Sequence, residues 1–206
     1  MGMGGGSGAS GTIAHVHDNA SGQGGPLSSL TLVGTDLLNE ITPYRVIDDH
    51  IATTTESSFV FAPSTPIDFD TVSEVRIYFD GDTTANLDLL FRINDLSGAN
   101  YMWSGFDCST GTYTGVTAFS QTSAEIENAL DADFKGFLTI QKSNASSDNE
   151  FGGMSYLMRN ANARFFREEN WSHTSSLTTL SQVEIFTSTS TWEADTRFTV
   201  YQLNRS

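Results

Sequence analysis

From about Tyr44 to the C-terminus, apolar residues recur at every second position. Val75, Ile77 and Phe79 alternate with Glu74, Arg76 and Tyr78, and Leu87, Leu89, Phe91 and Ile93 alternate with Asp88, Leu90, Arg92 and Asn94. Successive side chains of a strand point to opposite faces, so this pattern predicts strands with one face in a core. Val75, Ile77, Phe79, Leu87, Leu89, Phe91 and Ile93 are the expected core positions. Shorter runs repeat the pattern at Phe59 and Phe61, Leu138 and Ile140, Met154, Tyr156 and Met158, Val183 and Ile185, and Phe198 and Val200. Turn-forming stretches separate them: Asp80-Gly81-Asp82, Asn94-Asp95 with Gly98, residues 143–149 and residues 188–191. The 25 threonines favour strands. Pro26, Pro43, Pro63 and Pro66 all lie outside the central runs. Eight or more short strands of this kind predict an all-β sandwich or barrel over residues 41–206. One stretch reads as a short helix, Ser123 to Leu130, behind Thr122 as N-cap.

Residues 1–40 read differently. Met1 to Gly11 is almost entirely Gly, Ser and Ala, and a second Gly-rich patch at 21–26 separates Ile13–His17 from Leu27–Val33. Neither apolar piece can hold a core, so this segment is expected to be an extended anchoring arm, ordered by a partner. Gly6-Ser7-Gly8-Ala9-Ser10-Gly11 matches the dinucleotide-binding spacing. No strand precedes it, and the chemistry of that motif requires one.

The chain has 206 residues, enough for one domain with an appended arm. No apolar run reaches the 18 or so residues that a membrane-spanning helix needs, and the N-terminus lacks the basic and apolar regions of a secretory signal. Asp and Glu number 25 against 10 Lys and Arg, for a net charge of −15. Such a surface repels phosphates, which argues against nucleic acid as a partner. Cys108 is the single cysteine, so neither an internal disulfide nor a cysteine zinc site can form. It is expected half-buried in a loop.

Candidate chemistry is sparse. No G-x-S-x-G, H-E-x-x-H or phosphate-loop sequence occurs. His50 and His173 read as solvated loop residues, and no nucleophile–base–acid set is evident around either. A non-enzymatic chain is therefore expected. Asp80 and Asp82 could contribute to a structural calcium site, though an Asx-bonded turn explains them more simply. Trp103, Trp171 and Trp192 fall in polar or turn-rich surroundings. If exposed together they could stack on sugar rings; if buried they serve packing.

Three segments carry a resemblance. Phe91-Arg92-Ile93-Asn94-Asp95-Leu96-Ser97-Gly98-Ala99-Asn100-Tyr101 resembles a strand, an Asn/Asp turn and an Ala-Asn-Tyr restart found in jelly-roll β-sandwich structural proteins of tailed bacteriophages and archaeal tailed viruses. Phe137-Leu138-Thr139-Ile140 resembles the middle strand of that family. Val183-Glu184-Ile185 and Thr196 to Leu203 resemble its closing hairpin, with Gln202 where the family usually has Gly. In the arm, His15-Val16-His17-Asp18-Asn19 is similar to the His-x-His-Asp segment near the start of many tail and fibre proteins. The resemblance implies an antiparallel jelly roll displayed on a virion, on the capsid or the tail, as a decoration, turret, spike or fibre component. It also implies partners: capsid or tail proteins, copies of the chain in a homotrimer, and, as an alternative role, a host surface glycan. Membrane insertion is not implied. Three copies of His15 and His17 on a threefold axis would supply six imidazoles, a set suited to iron or another transition metal.

Overall fold

The computed structural model describes residues 44–109, 112–130, 133–143, 150–160, 164–174 and 177–205. The arm, with His15 and His17, lies outside the described residues. In chain order the strands are β1 (Tyr44–Ile51), β2 (Ser58–Phe61), β3 (Ile67–Asp68), β4 (Val72–Gly81), β5 (Leu87–Ile93), β6 (Tyr101–Ser109), β7 (Thr112–Gln121), β8 (Ala124–Leu130), β9 (Phe134–Lys142), β10 (Phe151–Asn160), β11 (Arg164–His173), β12 (Thr179–Leu180), β13 (Val183–Thr187) and β14 (Arg197–Asn204). No helix occurs among the described residues.

All pairings are antiparallel. One sheet has the order β1-β14-β4-β9-β10-β11-β6-β7, and a second has β2-β13-β5-β8. If the hairpins β6–β7 and β10–β11 and the short β3–β12 pair are set aside, eight strands remain. Numbered one to eight along the chain, they pair 1-8-3-6 in one sheet and 2-7-4-5 in the other. This is the double Greek-key order of a jelly roll. The two hairpins are insertions, one between β5 and β8 and one between β9 and β13. They pair with each other through β11 and β6 and widen one sheet to eight strands.

The core lies between the sheets and follows the period-two pattern. Val75, Ile77, Leu89, Phe91 and Ile93 are wholly buried and Phe79 almost so. The side chain of Leu87 lies outside the described ones. Across the interface Phe59 stacks on Phe198 at 4.7 Å, and Phe91 meets Trp171 edge-on at 4.8 Å. Each such ring removes a large apolar area from water, the dominant favourable term in folding.

The resembling segment around Asn94 is the corner between sheets. Asn94 and Asp95 take positive φ, 51° and 55°, where Asn and Asp are tolerated. The Asn94 side chain accepts from the Ser181 and Gln182 amides and donates to the Thr179 carbonyl. Tyr101, which opens β6 in the large sheet, accepts at its hydroxyl from the Ile93 amide at 2.8 Å, at the end of β5 in the small one. Two polar side chains thus tie the crossover.

Three expectations are corrected. Residues 124–130 form strand β8 and no helix: Leu89 and Phe91 of β5 need a partner strand, and Glu127 and Ala124 lie opposite them, with one register shift between the two pairs. Tertiary pairing overrides the local helix preference. His173 is a buried strand residue, with no solvated loop around it; it meets Tyr101 edge-on at 4.4 Å, and burial lowers its pKa. His50 lies on β1, half-buried, stacked on Phe59 and bonded to Glu56 at 2.8 Å. Cys108 lies on β6 and is buried.

Candidate functional site

The outer face of the eight-stranded sheet carries the most unusual surface. β10 shows why. Its inward positions are Phe151, Ser155 and Leu157, so Met154, Tyr156 and Met158 point outward. Both faces of this strand are apolar, and alternation in the sequence does not say which one is core. Register aligns the outward residues into rungs across strands. One rung runs Asp49, Thr199, Tyr78, Phe137, Tyr156 and Glu168; the next runs Arg197, Asp80, Lys135, Met158 and Phe166.

The first rung is the middle of a continuous row of rings, which Tyr201 and Phe166 extend from neighbouring rungs. Tyr201 meets Tyr78 at 5.4 Å, Tyr78 meets Phe137 at 5.8 Å, Phe137 stacks on Tyr156 at 5.7 Å, and Tyr156 stacks on Phe166 at 6.2 Å. Phe166 meets Tyr113 on β7 at 6.1 Å. The Arg76 guanidinium lies 5.3 Å from the Phe137 ring centroid and 5.0 Å from that of Tyr44. It is held there by Glu74, which Gln141 also contacts. Exposed apolar side chains concentrate on this face: Phe106, Tyr113 and Phe119 are 60–68% exposed.

The second rung is charged. Lys135 donates to Asp80 at 2.8 Å, and Arg197 grips Asp49 through two bonds of 2.8 and 2.7 Å. Thr199 donates to the same carboxylate. Asp49 is held below the usual carboxylate range by the hydrogen bonds from Arg197 and Thr199. Between the two rungs lies an open groove of about 430 Å³, crossing β14, β4, β9 and β10. Its volume falls within the range of small-molecule sites, about 300–1,000 Å³.

A second cluster is internal. Arg167 on β11 is buried and reaches Glu125 and Glu127 on β8 and Glu169 on its own strand. Burial works against the Arg167 charge, but the carboxylates outweigh it and its pKa rises. Burial pushes Glu169 up to about 7, with Glu125 and Glu127 adding to the rise and Arg167 opposing it. The cluster sits where the inserted hairpin crosses the edge strand β8. Glu127 and Glu169 are sealed from solvent at 1% and 0% exposure, so they cannot flank a substrate cleft as a hydrolytic carboxylate pair must.

The tryptophans are placed as follows. Trp192 is wholly buried against Phe198, and its backbone bridges Glu56 and Thr83. Trp171 is buried, and its indole donates to the Thr139 carbonyl at 3.1 Å. It crosses β10 at Gly153, where a Cβ would fall 2.0 Å from that carbonyl oxygen. Trp103, opposite Trp171, packs half-buried against the core. The three do not form an exposed sugar platform, because two of the rings fill the core. The ring row was missed because Tyr78, Phe137 and Tyr156 sit on three separate strands, and only register brings them together.

The acidic pairs are engaged locally. Asp80 pairs with Lys135, Asp82 accepts from the Thr83 amide, and Asp68 accepts from the Asp70 amide. Among the described residues no group of three or more His, Cys, Asp or Glu is arranged to hold an ion, and no third such residue joins Asp80 and Asp82. No helix among the described residues is long and apolar enough to cross a membrane. No protein-family model, curated protein or solved structure matches the chain.

Proposed function

We propose that this chain is a non-enzymatic structural protein of a virus particle, displayed at the surface as a capsid decoration, turret, spike or tail-fibre component. The observation that carries the reading is the work done by the resembling segments. The stretch from Phe91 to Tyr101 makes the corner between the sheets, through Asn94 and Tyr101. The segments ending at Ile140 and Leu203 lie on β9 and β14, neighbours of β4 in the large sheet. The likeness to tailed-virus sandwich proteins therefore falls on residues that build the architecture. The sandwich is the displayed head and residues 1–40 are the anchor. Partners are copies of the chain in a homotrimer and the capsid or tail proteins beneath it. Among the described residues β1 and β7 are the edges of the large sheet, the positions where such partners would add a strand.

The test is to delete residues 1–35, which leaves β1 intact, and to add the truncated and full-length proteins to particles lacking the chain. Sedimentation should carry the full chain with the particles and leave the truncated sandwich in the supernatant, folded by circular dichroism. Co-sedimentation of both would move attachment to the sandwich. Absence of the chain from purified particles, by mass spectrometry, would end the virion reading.

A further inference from the structure

We infer that the groove on the outer face of the eight-stranded sheet is a binding site for a neutral carbohydrate. The site is two-sided. Tyr78, Phe137 and Tyr156 supply an apolar wall, and Arg197, Asp80 and Lys135 supply a polar one across the groove. A pyranose ring has the matching shape: a patch of C–H bonds on one face and a rim of hydroxyls that both donate and accept. Aromatic rings favour the C–H patch, and adjacent carboxylate and ammonium or guanidinium groups serve vicinal hydroxyls.

Charge selects the ligand class. Asp80, Lys135 and Arg197 line the groove; Asp80 is paired with Lys135, and Arg197 is paired with Asp49, which lies beside the groove on β1. The rim is locally neutral on a chain of net charge −15. An anionic ligand would have to break these pairs and approach against the overall field, whereas a neutral polyol can bridge them intact. A purely apolar partner would leave the exposed Lys135–Asp80 pair desolvated without compensation. The volume of about 430 Å³ suits a short sugar segment, and the ring row continues beyond the groove from Tyr156 to Phe166. This inference stands apart from the virion reading, because sugar binding and particle attachment are measured separately.

The experiment uses the full-length chain and a panel of neutral oligosaccharides: gluco-, manno-, galacto- and N-acetylglucosamine-hexaoses. Saturation-transfer NMR detects binding and titration calorimetry measures it. At least one panel member should bind. Phe137→Ala should weaken it about tenfold or more, equivalent to roughly 1.4 kcal/mol. Lys135→Ala, at a 67%-exposed side chain outside the core, should weaken it as well. Phe106→Ala, on the same face but outside the groove, should leave it unchanged. Binding by no panel member, or binding undiminished in both groove variants, overturns the proposal. A Phe137→Ala chain that changes oligomeric mass without affecting sugar would assign the face to a second copy instead, and also overturns it.

Discussion

Glu169 should make the stability of this protein fall as pH rises through neutrality. Its carboxyl lies at 0% exposure beside Arg167, with Glu125 and Glu127 reaching the same guanidinium and Asp107 opposite Arg167 on β6. Several acids therefore surround one arginine, and burial raises Glu169 from its ordinary 4.5 to about 7. Between those two values the folded state holds a proton that the unfolded chain has released. Stability therefore declines with pH across that window, and the contribution is lost once the pH passes the folded value. The rise is worth about 3 kcal/mol when each pH unit counts for about 1.4. Glu169→Gln keeps the shape and the oxygen that accepts from Arg167, and removes the titration. Urea unfolding of both chains at pH 5 and pH 8.5 isolates this contribution, since every other carboxyl is common to both. The variant should gain about 3 kcal/mol over the wild type between the two pH values. Parallel curves for the two chains would refute the reasoning and would mean that Glu169 stays ionised in the fold.

Two further substitutions probe the joints of the sandwich. Phe91→Ala removes a wholly buried ring that meets both Trp171 and Tyr101, and should cost about 3–5 kcal/mol in chemical denaturation, with a shift in tryptophan emission; a loss below about 1 kcal/mol would place Phe91 outside the core. Asn94→Ala removes three side-chain bonds and puts a less tolerant residue at positive φ, and should cost about 1–3 kcal/mol in the same assay, whereas Asn94→Gly should recover the backbone part; equal losses in both would show that the bonds alone matter.

Alternation along the chain determined the all-β class, and it also determined the core. A strand with polar and apolar residues in strict alternation has one orientation that buries the apolar set, as at Val75, Ile77 and Phe79. The Asn94-Asp95 turn was equally legible, because Asn and Asp tolerate the left-handed backbone that it requires. Tertiary structure decided the rest. Where both faces of a strand are apolar, as on β10, only the neighbouring sheet chooses which face is core, and it left Tyr156 and Met158 outside. Residues 124–130 had the composition of a helix, yet the edge of β5 supplied backbone partners that a helix would have left unpaired. For Trp171 and Trp192 the polar sequence neighbours left exposure and burial both open, because polarity two residues away says nothing about a face buried by another strand. The groove could not be read from sequence at all. Its walls come from four strands spread over more than a hundred residues of chain, from β4 to β14, and only the register of the sheet sets Tyr78 beside Phe137 and Asp80 beside Lys135.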